Sequence, residues 1–170
     1  SVWRVRNSGI IAAGEIRSEK ATEHLIPMLD EPGMDRSLVL IYSALGSIGT
    51  HAAIPYLVAG LDGGEHYFQQ SALEALMVID PSAGIDHAIG ELKDEDVQVR
   101  RNAVLACIRS GDPRVIEPLR FLYSDEDFEV RLYARQGIKR MQKDTLKRQR
   151  TTGNSVIRRV VPVSYTHLTL

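Results

Sequence analysis

The chain has 170 residues, 44% apolar, 25% charged and 6% aromatic, with 21 Lys or Arg against 22 Asp or Glu for a net charge of −1. That composition excludes disordered, collagen-like and Pro-rich chains, and the length suits one domain or a short repeat array. One cysteine excludes an internal disulfide or a multi-cysteine zinc site, and no apolar run reaches the ~18–20 residues of a membrane-spanning helix.

Self-comparison shows a repeat. Val5, Ser37, Phe68, Val99 and Val130 open five segments separated by 32, 31, 31 and 31 residues. Position 5 of each unit reads Gly9, Ile41, Ala72, Ala103 and Ala134, and position 8 reads Ala12, Ala44, Ala75, Ala106 and Gly137. Position 9 reads Ala13, Leu45, Leu76, Cys107 and Ile138, and position 12 reads Ile16, Ile48, Ile79, Ser110 and Met141. Positions 5, 8, 9 and 12 share one face of a helix, and a small residue at position 8 lets a neighbouring helix approach closely.

A second helix follows in the first four units. Ser18, Thr50, Asp80 and Asp112 are suited to cap it, and Pro81 and Pro113 stand at its first position, where a missing N–H costs nothing. Leu25, Ile26 and Leu29; Ile54, Leu57 and Leu61; Ile85, Ile89 and Leu92; and Ile116, Leu119 and Leu122 recur there at helical spacing. Asp96 and Asp127 precede Val99 and Val130 as caps of first helices. The expectation is an all-α stack of helical hairpins, in which each hairpin buries its apolar face only against its neighbours.

The segments Ala44-Leu45-Gly46-Ser47-Ile48-Gly49-Thr50, Ala53-Ile54-Pro55-Tyr56-Leu57 and Gly111-Asp112-Pro113 resemble the short HEAT-like repeat, including the phycobilisome-lyase type. Cys107-Ile108 departs from its usual Leu-Gly. The resemblance covers about residues 2–142 and implies a right-handed, armadillo-like α-solenoid. Five units are expected at 1–34, 35–64, 65–95, 96–126 and a partial 127–142, with the array continuing upstream of a chain that opens on Ser1. With no active-site constellation in the sequence, the expected function is a non-catalytic scaffold that binds a protein partner on a concave face of second helices. Lys20, His24, Tyr56, Ala59, His87, Arg114 and Phe121 are the candidate residues of that face. Two alternatives remain: a bilin lyase or isomerase-type subunit binding a linear tetrapyrrole, and a HEAT-like nucleic-acid-binding protein, for which the acidic repeat body is unsuited. Arg6, Arg100 and Arg131 share position 2, where the family uses Arg to bond a neighbouring loop; acids such as Asp96 and Asp127 are their expected partners.

No catalytic motif or cofactor site is recognisable, and no metal or cofactor is expected. Glu23-His24 and Glu65-His66 reverse the His-Glu order of HEAT-like iron hydroxylases and fall in different repeat positions. His24 and His87 share position 20 but stand two repeats apart, too far to share a metal. Asp94-Glu95-Asp96 and Asp125-Glu126-Asp127 recur one repeat apart at helix starts, where acids favour the helix dipole, and are read as capping loops. Cys107 occupies a core column and Gly63-Gly64 a loop.

Charge is uneven. Between Lys139 and Arg159 eight Lys or Arg face one acid, Asp144, leaving thirteen bases against twenty-one acids elsewhere. Residues 143–150 read as a polar helical extension and 151–160 as irregular chain or a marginal strand. Together 143–170 form a basic tail expected to be disordered, and Lys143–Arg159 is its only segment suited to nucleic acid. Residues 162–170 resemble translated adapter sequence, so Tyr165 and His167 are given no role. A cytoplasmic setting is the expectation.

Overall fold

A computed structural model describes residues 2–62 and 66–157, with side chains through Arg150. Gly63, Gly64, Glu65 and the segment 158–170, with its Tyr165 and His167, lie outside the described residues. Among the described residues, first helices α1 (Val2–Glu15), α3 (Leu38–Ile48), α5 (His66–Ile79), α7 (Val97–Ser110) and α9 (Phe128–Ile157) alternate with second helices. The second helices are α2 (Glu19–Leu25), α4 (Ile54–Asp62), α6 (Pro81–Glu91) and α8 (Ile116–Phe121). Each first helix packs on the next, while α4 lies on α5, α6 lies between α5 and α7, and α8 lies on α9. The fold is an α-solenoid.

Local chemistry sets the boundaries. Asp80 accepts from the Ala83 N–H at 3.1 Å, Asp96 from Gln98 at 2.6 Å, Asp112 from Arg114 at 2.7 Å and Asp127 from Val130 at 2.9 Å. Each satisfies a backbone donor that a helix start leaves unpaired. Ser18 and Thr50 occupy N-cap positions without a side-chain bond. Helices α3 and α7 stop at Gly49 (φ 78°) and Gly111 (φ 65°), in the left-handed region that glycine enters without a Cβ penalty. At the equivalent place after α1, Arg17 adopts φ 50° and carries its side chain into that region. Pro27 ends α2, because it lacks the N–H that would continue the helix, and a 3-10 turn over Pro27–Asp30 follows.

The core follows the repeat columns in the interior. Ile41, Ala72 and Ala103 at position 5, and Leu45, Leu76 and Cys107 at position 9, are fully or almost fully shielded from water, as are Ala44, Ala75 and Ala106 at position 8. Position 10 adds a contact that periodicity did not single out. A Cβ placed on Gly14 would come within 3.0 Å of the Ala44 Cα, and one on Gly46 within 3.0 Å of the Ala75 Cα. At the other end the sizes are exchanged: Ile108 at position 10 fills the space beside Gly137 at position 8, where a Cβ would collide with it. Position 10 of one first helix therefore seats on position 8 of the next.

The first repeat departs from its expected register. Ile16 is 73% exposed and Gly9 and Ala12 face water, whereas Asn7, Ile10 and Gly14 are buried. Helix α1 is covered by α3 along the Asn7–Ile10–Gly14 side, and among the described residues no first helix lies along the side where Ala12 and Ile16 point. Buried Asn7 is satisfied: its Oδ1 accepts from the Ser37 hydroxyl at 2.8 Å. A second departure is at the far end. Helix α9 continues through Ile157, so residues 151–157 are helical where irregular chain or a strand was expected.

Ala75 sits 4% exposed under Gly46. Ala75→Asp would bury an unpaired carboxylate and prise α3 from α5, and it is expected to cost roughly 4 kcal/mol or more. Thermal melting followed by circular dichroism checks this; an unchanged midpoint contradicts the seat.

Candidate interaction surface

The second helices carry the candidate residues at different depths. Lys20 and His24 on α2, Tyr56 and Ala59 on α4, Arg114 before α8 and Phe121 at its end are exposed, Tyr56 by 41% and Phe121 by 79%. His87 on α6 is only half-exposed, because its Nε2 lies 3.1 Å from Glu91 Oε1 one turn on; that bond holds its pKa above the ordinary histidine value. The Arg114 guanidinium is also engaged, 2.9 Å from Asp86 on α6 and 3.1 Å from its own cap, Asp112. His24 Nδ1 stands 3.4 Å from the Lys20 carbonyl.

Tyr56 and Ala59 line one groove with Leu29, Leu38, Tyr42 and Phe68. Its floor is tight because the Tyr42 ring lies on Gly60, where a Cβ would meet the phenol oxygen. Burial pushes the Tyr42 hydroxyl pKa up, with Asp30 adding to the effect. His24 lines a separate groove with Ile10, Leu25 and Met28. A larger groove of about 550 Å³ lies on the other side of the stack between α3 and α5, bordered by Arg17, Ser43, Ser47, Ser71, Glu74 and Val78. Leu29 belongs to the apolar pattern of a second helix, Phe68 opens a unit and Leu38 was not singled out, yet all three are groove residues. Only their partial exposure separates them from core.

Among the position-2 arginines, Arg100 binds acids other than those expected, and Arg6 and Arg131 bind no acidic side chain among the described residues. The Arg100 and Asp125 side chains are each 7% exposed, and the guanidinium grips the carboxylate by two bonds, Nε to Oδ2 at 3.0 Å and Nη2 to Oδ1 at 3.1 Å. Nη2 also reaches Glu126 Oε1 at 3.1 Å, and Nη1 donates to the carbonyls of Asp94 and Glu95 at 2.8 and 2.9 Å. The planar fork thus ties its own entry loop to the next one. Asp127 is taken instead by Arg101, at 3.1 and 2.7 Å, because it sits one half-turn further along the loop as the cap of α9. Asp96 pairs with His66 at 3.0 Å, and Arg6 donates to the Met34 sulfur at 2.9 Å. Arg101 as a ladder residue was missed, although its place beside Arg100 was the signal.

Both acidic triplets act as capping loops. Asp94 accepts from the Asp96 N–H and Asp125 from the Asp127 N–H, at 2.8 and 2.9 Å. Hydrogen bonds from backbone N–H groups hold Asp96 and Asp112 below the usual carboxylate range. Cys107 is fully buried, and burial pushes its thiol up to about 12, so it serves as a small apolar filler. Among the described residues no three His, Cys, Asp or Glu side chains gather closely enough to hold a metal, and no helix is long and apolar enough to cross a membrane.

Residues 43–63 and 99–125 match the family model described as PBS lyase HEAT-like repeat. No curated protein matches the chain.

Bonds from Arg101 and from the Val130 N–H lower the Asp127 carboxyl to about 2, against about 3.9 in an unfolded chain. A depressed folded-state value stabilises the fold above the unfolded pKa, and the contribution fades as pH falls from about 4 towards 2. Urea unfolding across that range should therefore show a shallower acid loss for Asp127→Asn than for the parent protein. Equal slopes contradict the assignment.

Proposed function

We propose that this HEAT-like repeat protein is a non-catalytic scaffold that receives a protein partner along its second helices. The observation that carries this reading is Tyr56, held half in water above a groove of Leu29, Leu38 and Phe68. An aromatic with an apolar body and a polar tip anchors protein partners well, because it buries much area at little conformational cost. Phe121, exposed on α8, offers a second anchor two repeats along the array. Lys20, His24, Ala59, His87 and Arg114 complete the proposed face; the last two are braced by Glu91 and Asp86, so they enter it with their orientation set.

The lyase-type reading draws its support from the matched repeat description alone, and a shift in the absorbance of an added linear tetrapyrrole tests it. For the scaffold reading, a photo-crosslinking residue is placed at Tyr56 or Phe121 and, as controls, at exposed Val78 and Leu105 on first helices. In lysate of the native host, discrete crosslinked species are expected from the first pair and not from the controls. Equal crosslinking from both sets, or none from the first pair, overturns the assignment of the face.

A further inference from the structure

The outer side of α9 breaks the pattern that builds the rest of the stack. At position 6 the first four repeats carry buried Ile10, Tyr42, Leu73 and Val104, and at position 10 they carry Gly14, Gly46, Met77 and Ile108. The fifth repeat carries exposed Arg135 and Lys139 at these positions. Lys143 continues the line, so Arg131, Arg135, Lys139 and Lys143 stand four residues apart, about 6 Å along the helix axis. The two acids of α9, Glu129 and Asp144, lie off this line: Glu129 pairs with Arg101, and Asp144 lies 3.9 Å from Arg140. Like charges at this spacing repel, and among the described residues no carboxylate meets Lys139 or Lys143. Residues 145–170 contain no Asp or Glu.

Arg131 adds direction to this charge. Its Nη1 donates to the carbonyls of Asp125 and Glu126 at 2.6 and 2.9 Å, one repeat on from the bonds that Arg100 Nη1 makes to Asp94 and Glu95. Those bonds fix the guanidinium plane. In Arg100 the opposite edge, Nε and Nη2, holds the Asp125 carboxylate and Glu126. In Arg131 the same edge has no acceptor among the described residues. The protein thus displays both the fork and, one repeat earlier, the chemistry that fills it: two consecutive carboxylates on an extended loop.

We propose that the outer face of α9 docks an acidic polypeptide segment of Asp-Glu type, with Arg131 taking the carboxylate pair and Arg135, Lys139 and Lys143 taking acids further along. Exposed Phe128 and Leu146 give the face apolar contacts as well. Arg135 and Lys139 share a groove with Arg120 of α8 and with Tyr123, whose carbonyl accepts from Arg135 Nη2 at 3.1 Å, so this surface borders the second-helix side. Its residues are none of those proposed for that face, and either assignment stands without the other. A peptide is favoured over nucleic acid because the internal precedent is a bidentate carboxylate on a polypeptide loop.

Fluorescence anisotropy on the full chain at low salt tests this, using a labelled peptide containing Ser-Asp-Glu-Asp, its Ser-Asn-Gln-Asn counterpart, and a labelled single-stranded oligonucleotide of equal charge. The acidic peptide should bind, the amide peptide should not, and the oligonucleotide should bind more weakly than the acidic peptide. The double variant Lys139→Glu/Lys143→Glu, at two side chains that make no hydrogen bond or ion pair among the described residues, should weaken the peptide by about tenfold or more. Arg131→Gln should do the same, and melting checks its folding, since Arg131 also bonds its own loop. Absence of peptide binding, an unchanged affinity in the double variant, or an oligonucleotide that binds as tightly as the peptide overturns the proposal.

Discussion

Everything in this stack depends on how closely consecutive first helices can approach. At Gly14 against Ala44, and at Gly46 against Ala75, the backbones are so near that one added methyl group would touch the next helix's Cα at 3.0 Å. Close approach multiplies small dispersion contacts and shields the neighbouring Ile41, Leu45, Ala72 and Leu76 from water. The sum of sizes at each seat matters more than the identity of either residue. Gly against Ala suffices between the early helices, while Ile108 needs Gly137 between the late ones.

The second constraint is polar and lies at the loops. Where the apolar seat fixes the distance between first helices, the Arg100 fork on Asp125 fixes their rotation, because a planar bidentate pair tolerates little twist. Asp96 and Asp127 serve two roles there: each caps its own helix and accepts a side chain from the preceding repeat, His66 or Arg101. A loop that starts one helix is thereby also the strut that holds the previous one. The same dual use explains why carboxylates gathered at helix starts show no arrangement fit for a metal.

Much of this was legible in the sequence, because the repeat constrains small and apolar residues at fixed intervals. Ala44, Ala75 and Ala106 were placed correctly, and so were the aspartate caps, since their signals are local. The first repeat was misread for a physical reason: Gly9, Ala12, Ala13 and Gly14 are all small, so spacing alone could not say which side of α1 meets α3. The partner of Arg100 was misassigned because neighbouring acids of one loop differ by a half-turn that no periodicity reports. The last turns of α9 were hidden because Thr151, Thr152, Gly153, Asn154 and Ser155 are weak helix formers, yet the helix runs on through them to Ile157. The groove under Tyr56 depends on partial exposure of Leu29, Leu38 and Phe68, a tertiary property.

The most direct test of the size-matched seat is a double-mutant cycle on Ile108 and Gly137, read as unfolding free energy in urea. Ile108→Ala alone empties the seat and Gly137→Ala alone overfills it. Made together they give an Ala–Ala pair close to the Gly–Ala seats found earlier in the stack. The intrinsic helix preference of alanine over glycine cancels in the cycle. The seat predicts that the double variant is more stable than the sum of the singles by about 1 kcal/mol or more. Additive effects within about 0.5 kcal/mol would mean that the two residues do not share a seat, and would contradict the account.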